Sequence, residues 1–183
     1  MAEKIIIGLI GESGSGKDTV ANYLKEKYNA KLMRFADPLK EILHIFFDKI
    51  SREDQQWLAL QLRDRFGHDI FPKALKRRID NETGLIVING IRFWEDYEFI
   101  EKFEAGHTIY VTADQKMRWE RSIKRKEKTD DGVSFEKFQE MEQAETEVLV
   151  PEIGTKADHI IRNEKDLDYL LAETDRIMSE IRK

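Results

Sequence analysis

The sequence predicts an α/β fold of three layers, α/β/α, with a five-stranded parallel sheet between two layers of helices. Three observations carry this expectation. Apolar runs of strand length alternate with stretches of helical spacing along the chain. The first run, Ile5 to Ile10, is nearly all Ile, Leu and Gly, as expected for a strand buried on both faces. It leads straight into a Gly- and Ser-rich turn, after which Val20, Tyr23 and Leu24 recur at helical spacing. Parallel sheets of this kind bind ligands at the carboxyl ends of their strands, so this turn marks the functional edge.

The elements follow in order. Strands are expected at 4–10, 31–35, 84–89, 107–112 and 157–161, with helices between them and a last helix from about 165 to 182. Two intervals exceed a simple crossover. Residues 37–82 hold two or three helices, read from LKEILHIFF, QWLALQL and IFPKALKRRI. Residues 113–150 hold a basic helix, a polar break at KTDDGVS and an acidic helix. Both intervals lie beside the ligand edge, where each could close over a substrate. The chain is thus expected to be a single domain, 1–183, with its core in 1–36, 83–112 and 151–183 and with helical insertions at 37–82 and 113–150.

Composition narrows the function. A net charge of −5 with 37% charged residues describes mixed charge, and no long basic stripe interleaved with aromatics points to nucleic acid. The absence of cysteine excludes disulfides, zinc–thiolate sites and thiol nucleophiles. His44, His68, His107 and His159 are scattered without ligand spacing. No leader or membrane span is visible, so the cytoplasm is the expected location, and no membrane partner is expected. A monomer or a homodimer would suit the chain.

The turn Gly11-Glu12-Ser13-Gly14-Ser15-Gly16-Lys17 fits the G-x-x-x-x-G-K part of a phosphate-binding loop. The first N–H groups of a helix have no internal partner and carry partial positive charge, so they attract anions. Glycine lets the backbone wrap a phosphate, and lysine reaches its outer oxygens. Asp18 stands where Ser or Thr is usual, and Thr19 comes one position later.

GESGSGKDT resembles the G-x-P-G-x-G-K-G-T loop of nucleoside monophosphate kinases, the adenylate kinase-like group, and its GKDT form resembles phage-type deoxynucleoside monophosphate kinases. Ser13 replaces the usual proline and Asp18 the usual glycine. The resemblance implies a P-loop NTPase fold, ATP and Mg2+ as cofactors, an acceptor-binding lobe at 37–82 and a lid at 113–150. It also implies that Gly11, Ser13, Gly14, Ser15, Gly16, Lys17, Asp18 and Thr19 hold the donor phosphates, with Asp18 and Thr19 beside the hydrated metal.

Weaker likenesses extend along the chain. In MRFADPLKEIL, Asp37 is a good N-cap and Pro38 suits the first helical position. ADPLK also resembles the G-D-x-L-R segment of monophosphate kinases, with Lys40 in place of the arginine that contacts the acceptor's phosphate. The third strand ends in NGIR, which is similar to the DGIR or EGIR segment of archaeal kinase-like proteins related to dephospho-coenzyme A kinase. There Asn89 replaces a metal-supporting carboxylate, and Arg92 either binds the acceptor or pairs with Glu95 or Asp96. On the basic helix, Arg118, Arg121 and Arg125 share one face. The likeness makes them lid arginines, Arg118 on the nucleotide and Arg121 and Arg125 on the transferring phosphate. A solvated helix paired with the acidic EKFQEMEQAETE is the alternative. ADHIIRN resembles the D-x-x-I-x-N segment that borders the adenine, which would put Asn163 there or in a plain polar turn. Arg63 is a lesser candidate for acceptor contact, and a charge on the helix surface is its simpler explanation.

The expected activity is ATP-dependent phosphoryl transfer to a small phosphorylated metabolite, a nucleoside or deoxynucleoside monophosphate, with Lys17 neutralising charge on the moving phosphate. Two alternatives stand beside it. One is transfer to a ribose hydroxyl, as in dephospho-coenzyme A kinase, for which Asp37 would be the carboxylate. The other is an ATP-binding regulatory protein that transfers nothing, suggested by Asn89.

Overall fold

A computed structural model describes residues 4–125 and 132–183. The strands are β1 (Ile5–Ile10), β2 (Lys31–Arg34), β3 (Leu85–Ile91), β4 (Gly106–Thr112) and β5 (His159–Arg162). They form one parallel sheet in the order β2-β3-β1-β4-β5. The helices are α1 (Lys17–Tyr28), α2 (Asp37–Phe46), α3 (Arg52–Phe66), α4 (Ile70–Ile79), α5 (Trp94–Glu101), α6 (Gln115–Arg125), α7 (Phe135–Glu142), α8 (Val150–Gly154) and α9 (Leu167–Ile181).

Alternation within the strands builds the three layers. Ile6 and Ile10 of β1 and Ile86 and Ile88 of β3 face a cluster completed by Leu39, Phe71, Leu75, Ile79, Phe99, Ile100 and Ile153. Ile7 and Leu9, with Val87, Ile109 and Val111, face the opposite cluster, filled by Val20, Leu24, Leu170, Ile177 and Met178. One face is therefore covered by α1 and α9 and the other by α2 to α5 and α8. The inner strands β1, β3 and β4 are largely apolar on both sides because each side has a helix layer to bury it, while the edge strands β2 and β5 carry Lys31, Arg34, His159 and Arg162. The predicted α/β/α sandwich with five parallel strands is the structure found.

The differences are local. Asp37 does not cap α2. It is the first helical residue, and its Oδ2 accepts the backbone N–H of Arg34 at 2.8 Å, closing the turn out of β2. Strand β3 runs past Asn89 to Ile91, with a register shift opposite Leu9 and Ile10. The last helix begins at Leu167, where Asp166 caps it by accepting the N–H of Tyr169 at 2.9 Å. Most of the polar break KTDDGVS lies outside the described residues. Among the described residues no helix is long and apolar enough to cross a membrane.

Candidate active site

The loop between β1 and α1 has the backbone that its glycines allow. Gly14 and Gly16 adopt φ of 76° and 101°. A Cβ at Gly14 would lie 2.3 Å from the carbonyl oxygen of Arg118, and one at Gly16 would lie 2.4 Å from Asn163 Nδ2. Both conformation and space therefore demand glycine. Gly16 is the N-cap of α1, and no side chain caps that helix, so its first N–H groups face the loop's opening.

Three elements brace this loop from behind. Asn163, just past β5, donates from Nδ2 to the carbonyl of Ser15 at 2.8 Å. Arg118 on α6 donates from Nη1 to the carbonyl of Ser13 at 3.3 Å and from Nε to that of Ala113 at 3.0 Å, and it is ion-paired with Glu142 on α7. Arg121 donates from Nη2 to the carbonyl of Asn163 at 2.7 Å. Glu12 accepts hydrogen bonds from the hydroxyls of Tyr110 and Thr112 on β4. Burial and the carboxylate beside it push the Tyr110 hydroxyl well above its ordinary pKa, so it stays a donor.

Arg118 and Asn163 were expected on the nucleotide. Both side chains are buried and are used on the loop's own carbonyls, which fixes the peptide planes that an anion would meet. The arginine face of α6 does turn toward the loop, because Arg118 and Arg121 both reach groups within or beside it. Arg125 is half-buried at the helix's last residue.

From the loop a cavity of about 680 Å³ runs to the start of α3 and the end of β3. Lys17 and Asp18 line one end, and Arg34, Lys40, Arg52, Arg63 and Arg92 line the remainder, with Phe35, Leu39, Phe71 and Phe93 as apolar wall. Asp37 is not among the lining residues, because its carboxylate is turned to the backbone of Arg34.

Arg63 is not a surface charge. Only 4% exposed, it lies over the rings of Phe93 and Phe71, 4.1 and 5.0 Å from their centroids, and pairs with Asp96 at 2.7 Å. Asp96 also accepts the backbone N–H groups of Arg92 and Phe93, both at 3.3 Å, so it ties α3 to the end of β3. The side chain of Arg92 pairs with neither Glu95 nor Asp96 but with Glu147, in the turn before α8. Arg52 donates to the same carboxylate at 2.8 Å. Burial pushes the Glu147 carboxyl up, but Arg92, Arg52 and Lys17 outweigh burial and hold it below the usual range. Arg52 is aimed by its position as the first residue of α3, behind a capping box in which Ser51 and Asp54 exchange hydrogen bonds at 3.0 and 2.9 Å.

Asn89, buried at the end of β3, donates from Nδ2 to Asp18 Oδ1 at 2.7 Å. Thr19 is exposed in the first turn of α1. The buried side-chain polar atoms that lack a partner among the described residues are Glu12 Oε2, Ser15 Oγ, Arg63 Nε, Asn89 Oδ1 and Arg121 Nη1. All belong to the loop, its braces or the cavity wall. Native interiors leave few such atoms unpaired, and here they gather around the loop and the cavity. No group of three His, Asp or Glu among the described residues could cage a metal by itself. One carboxylate, Asp18, with an orphaned amide oxygen beside it, suits a hydrated Mg2+ whose other ligands are phosphate oxygens.

Sequence reasoning missed Arg34, Arg52 and Glu147, and it offered Asp96 as a partner for Arg92 rather than for Arg63. The capping box S-x-x-D before α3 was a usable signal for Arg52. Glu147, one acid among many in EQAETEV, carried none.

The model of the deoxynucleotide monophosphate kinase family matches residues 4–82, which span the loop and the helices α2 to α4. A UPF0200 protein of Sulfurisphaera tokodaii is 27% identical over 178 residues, covering 96% of this chain and 97% of that protein. TT1252 from Thermus thermophilus superposes with a TM-score of 0.65 at 21% identity, over 97% of this chain and 98% of that one. Shikimate kinase from Bacteroides thetaiotaomicron does so with a TM-score of 0.63 at 19% identity, over 98% and 99%. The chain has the fold of P-loop kinases throughout, and over its loop and first insertion it resembles the deoxynucleotide monophosphate kinases.

Proposed function

We propose that the protein transfers a phosphoryl group from ATP to a small phosphorylated acceptor, most simply a nucleoside or deoxynucleoside monophosphate. One observation carries the proposal: the phosphate loop and a set of arginines open into the same cavity, with Lys17 and Asp18 at one end and Arg52, Arg63 and Arg92 farther along. Phosphoryl transfer needs little covalent chemistry from the protein. It needs two anions held in line and the charge on the moving group neutralised.

Lys17, buried at 6% exposure, is the cation that follows the transferring phosphate, whereas Arg121 is held on the carbonyl of Asn163 and neither it nor Arg125 lines the cavity. Arg92 and Lys40 hold the acceptor's phosphate, while Arg63, clamped by Asp96, shapes the wall behind it. The aromatic wall and the amides of Gln55 and Gln56 suit a flat base with polar edges. Asp18, oriented by Asn89, supplies the carboxylate that β3 lacks, so Asn89 is no argument against catalysis. When bound, Mg2+ supplies charge neutralisation between the donor's phosphates.

A phosphate acceptor is already anionic and needs no general base. A hydroxyl acceptor would need one. Asp37 does not line the cavity; of the carboxylates that do, Asp96 and Glu147 are paired with arginines, and Asp18, at the loop end, accepts the amide of Asn89. The phosphate acceptor is therefore the better fit. Labelled ATP incubated with a panel of nucleoside and deoxynucleoside monophosphates tests it. Label passing to one or more of them supports the kinase, while binding or hydrolysis without transfer refutes it.

A further inference from the structure

We propose that Glu147 is an internal counter-anion that occupies the acceptor's phosphate seat in the free protein and leaves it when the acceptor's phosphate arrives. The proposal rests on the kinase reading above and adds a device that neither the motif nor the fold implies.

Its basis is the surroundings of one carboxylate. Glu147 is 8% exposed and stands between two guanidinium groups, Arg52 Nη2 at 2.8 Å and Arg92, both of which line the main cavity. Burial raises the cost of its charge, yet the cations around it, Lys17 among them, keep it ionised. Arg52 and Arg92 are two like charges facing one partly enclosed cavity, so an anion between them stabilises the free protein. A phosphate monoester brings nearly two charges and three acceptor oxygens against one charge and two oxygens, and its geometry matches two arginine forks at once. In competition for the same pair of cations, the phosphate wins.

The displaced side chain has somewhere to go. Glu147 also lines a second cavity, of about 350 Å³, which it separates from the first. There it would meet the amides of Gln115 and Gln143 near Arg118. Glu12 and Glu142 line the same space, so the retreat is unfavourable unless an incoming anion drives it, and departure of product returns Glu147 to the arginines. The segment that must move is a run of turns between α7 and α8, not a strand or long helix. Its neighbour Thr146 accepts a hydrogen bond from Gln56 of α3 at 2.8 Å, so the same movement would be felt by the helix that carries Arg52 and Arg63.

Calorimetric titration of the full chain with inorganic phosphate tests the device without requiring turnover. Glu147→Gln should bind phosphate about tenfold more tightly than the parent, because an internal competitor lowers apparent affinity by the fraction of protein left open. Adding Arg52→Ala to that variant should abolish the gain; a gain that survives it belongs to phosphate on the loop, where Lys17 feels the loss of the Glu147 charge, and overturns the proposal. Glu147→Gln should also melt at lower temperature than the parent without phosphate and recover when phosphate is added. If it fails to fold, Glu147→Asp, which keeps the charge but is too short to span both arginines, should show the same gain in smaller measure. Phosphate affinity equal to the parent's within about twofold, or weaker, in the folded variant overturns the proposal and makes Glu147 a fixed structural pin. Failure of the kinase reading shows separately, as a parent protein that transfers label to no monophosphate.

Discussion

At the Lys17 end of the cavity the chain presents main-chain N–H groups, and at the Arg92 end it presents side-chain cations. The first end is one continuous stretch, residues 11–19, whose peptides are oriented by glycine and by braces from β4, β5 and α6. The second is assembled from the start of α3, the end of β3 and the turn before α8, and it is held by two ion-pair systems, Arg63–Asp96 and Arg52–Glu147–Arg92. A backbone seat accepts any phosphate of the right size. A seat of paired arginines is tunable, because its affinity depends on what the arginines hold when the acceptor is absent.

The sharpest way to break the loop end is Lys17→Ala. Loss of the cation that follows the moving charge should lower turnover about a thousandfold, roughly 4 kcal/mol. The circular dichroism spectrum should be unchanged, because the fold's core lies elsewhere. Transfer within about tenfold of the parent, some 1.4 kcal/mol, would remove the loop from the mechanism.

The acceptor end should break through stability first. Asp96→Ala strands the buried guanidinium of Arg63 between two aromatic rings and frees the backbone N–H groups of Arg92 and Phe93. A cost of about 3 kcal/mol or more in urea unfolding is expected. A loss below about 1 kcal/mol would mean that the pair is no better than an exposed one. Nothing comparable should follow from Lys27→Ala, whose partner Asp175 clips α9 to α1 at the surface.

These two ends also differ in how far the sequence discloses them. The loop was legible because its function is local. Glycine, lysine and the strand-to-helix switch fall within a few consecutive residues, and each has a mechanical reason to be there. The inner strand β1 was legible for the same reason, since burial on both faces leaves an unbroken apolar run. Helix α3 shows why the acceptor end was not. It buries Arg63 and leaves Trp57 and Phe66 exposed at 63% and 59%, the reverse of what side-chain polarity alone suggests. Arg63 is inside because Asp96, on a different helix, is inside with it. Glu147 depends on partners in α3 and just past β3, which only the folded chain brings to it. Asp37 erred in the opposite sense, because a residue well suited to capping was instead taken up by the turn before it.

Arg92→Ala separates the ends by kinetics. With Arg52 still on Glu147 the fold should survive, but the acceptor loses one fork of its phosphate seat. Its apparent KM should rise about thirtyfold, roughly 2 kcal/mol, with ATP affinity little changed. An equal loss of ATP binding would put Arg92 on the donor side and merge the two ends into one site.

The smallest expected effect lies at the junction of the two ends. Asp18 faces a helix N-terminus that favours its charge and, once a nucleotide binds, phosphates that oppose it. The amide of Asn89 holds its Oδ1 at 2.7 Å and leaves its own oxygen unpartnered. A hydrated Mg2+ between carboxylate and phosphates would satisfy all three groups. Asp18→Ala should therefore raise the Mg2+ needed for half-maximal turnover about tenfold, some 1.4 kcal/mol, and should shrink the gain that Mg2+ gives to ADP binding. Asp18→Ser, with the oxygen usual at this position, should recover part of both. Asn89→Ala keeps the carboxylate but not its orientation, so its effect should lie between the parent and Asp18→Ala. If Asp18→Ala instead lowers the melting temperature while the Mg2+ dependence of both turnover and ADP binding stays put, the carboxylate serves only the start of α1. The metal would then rest on the phosphates alone.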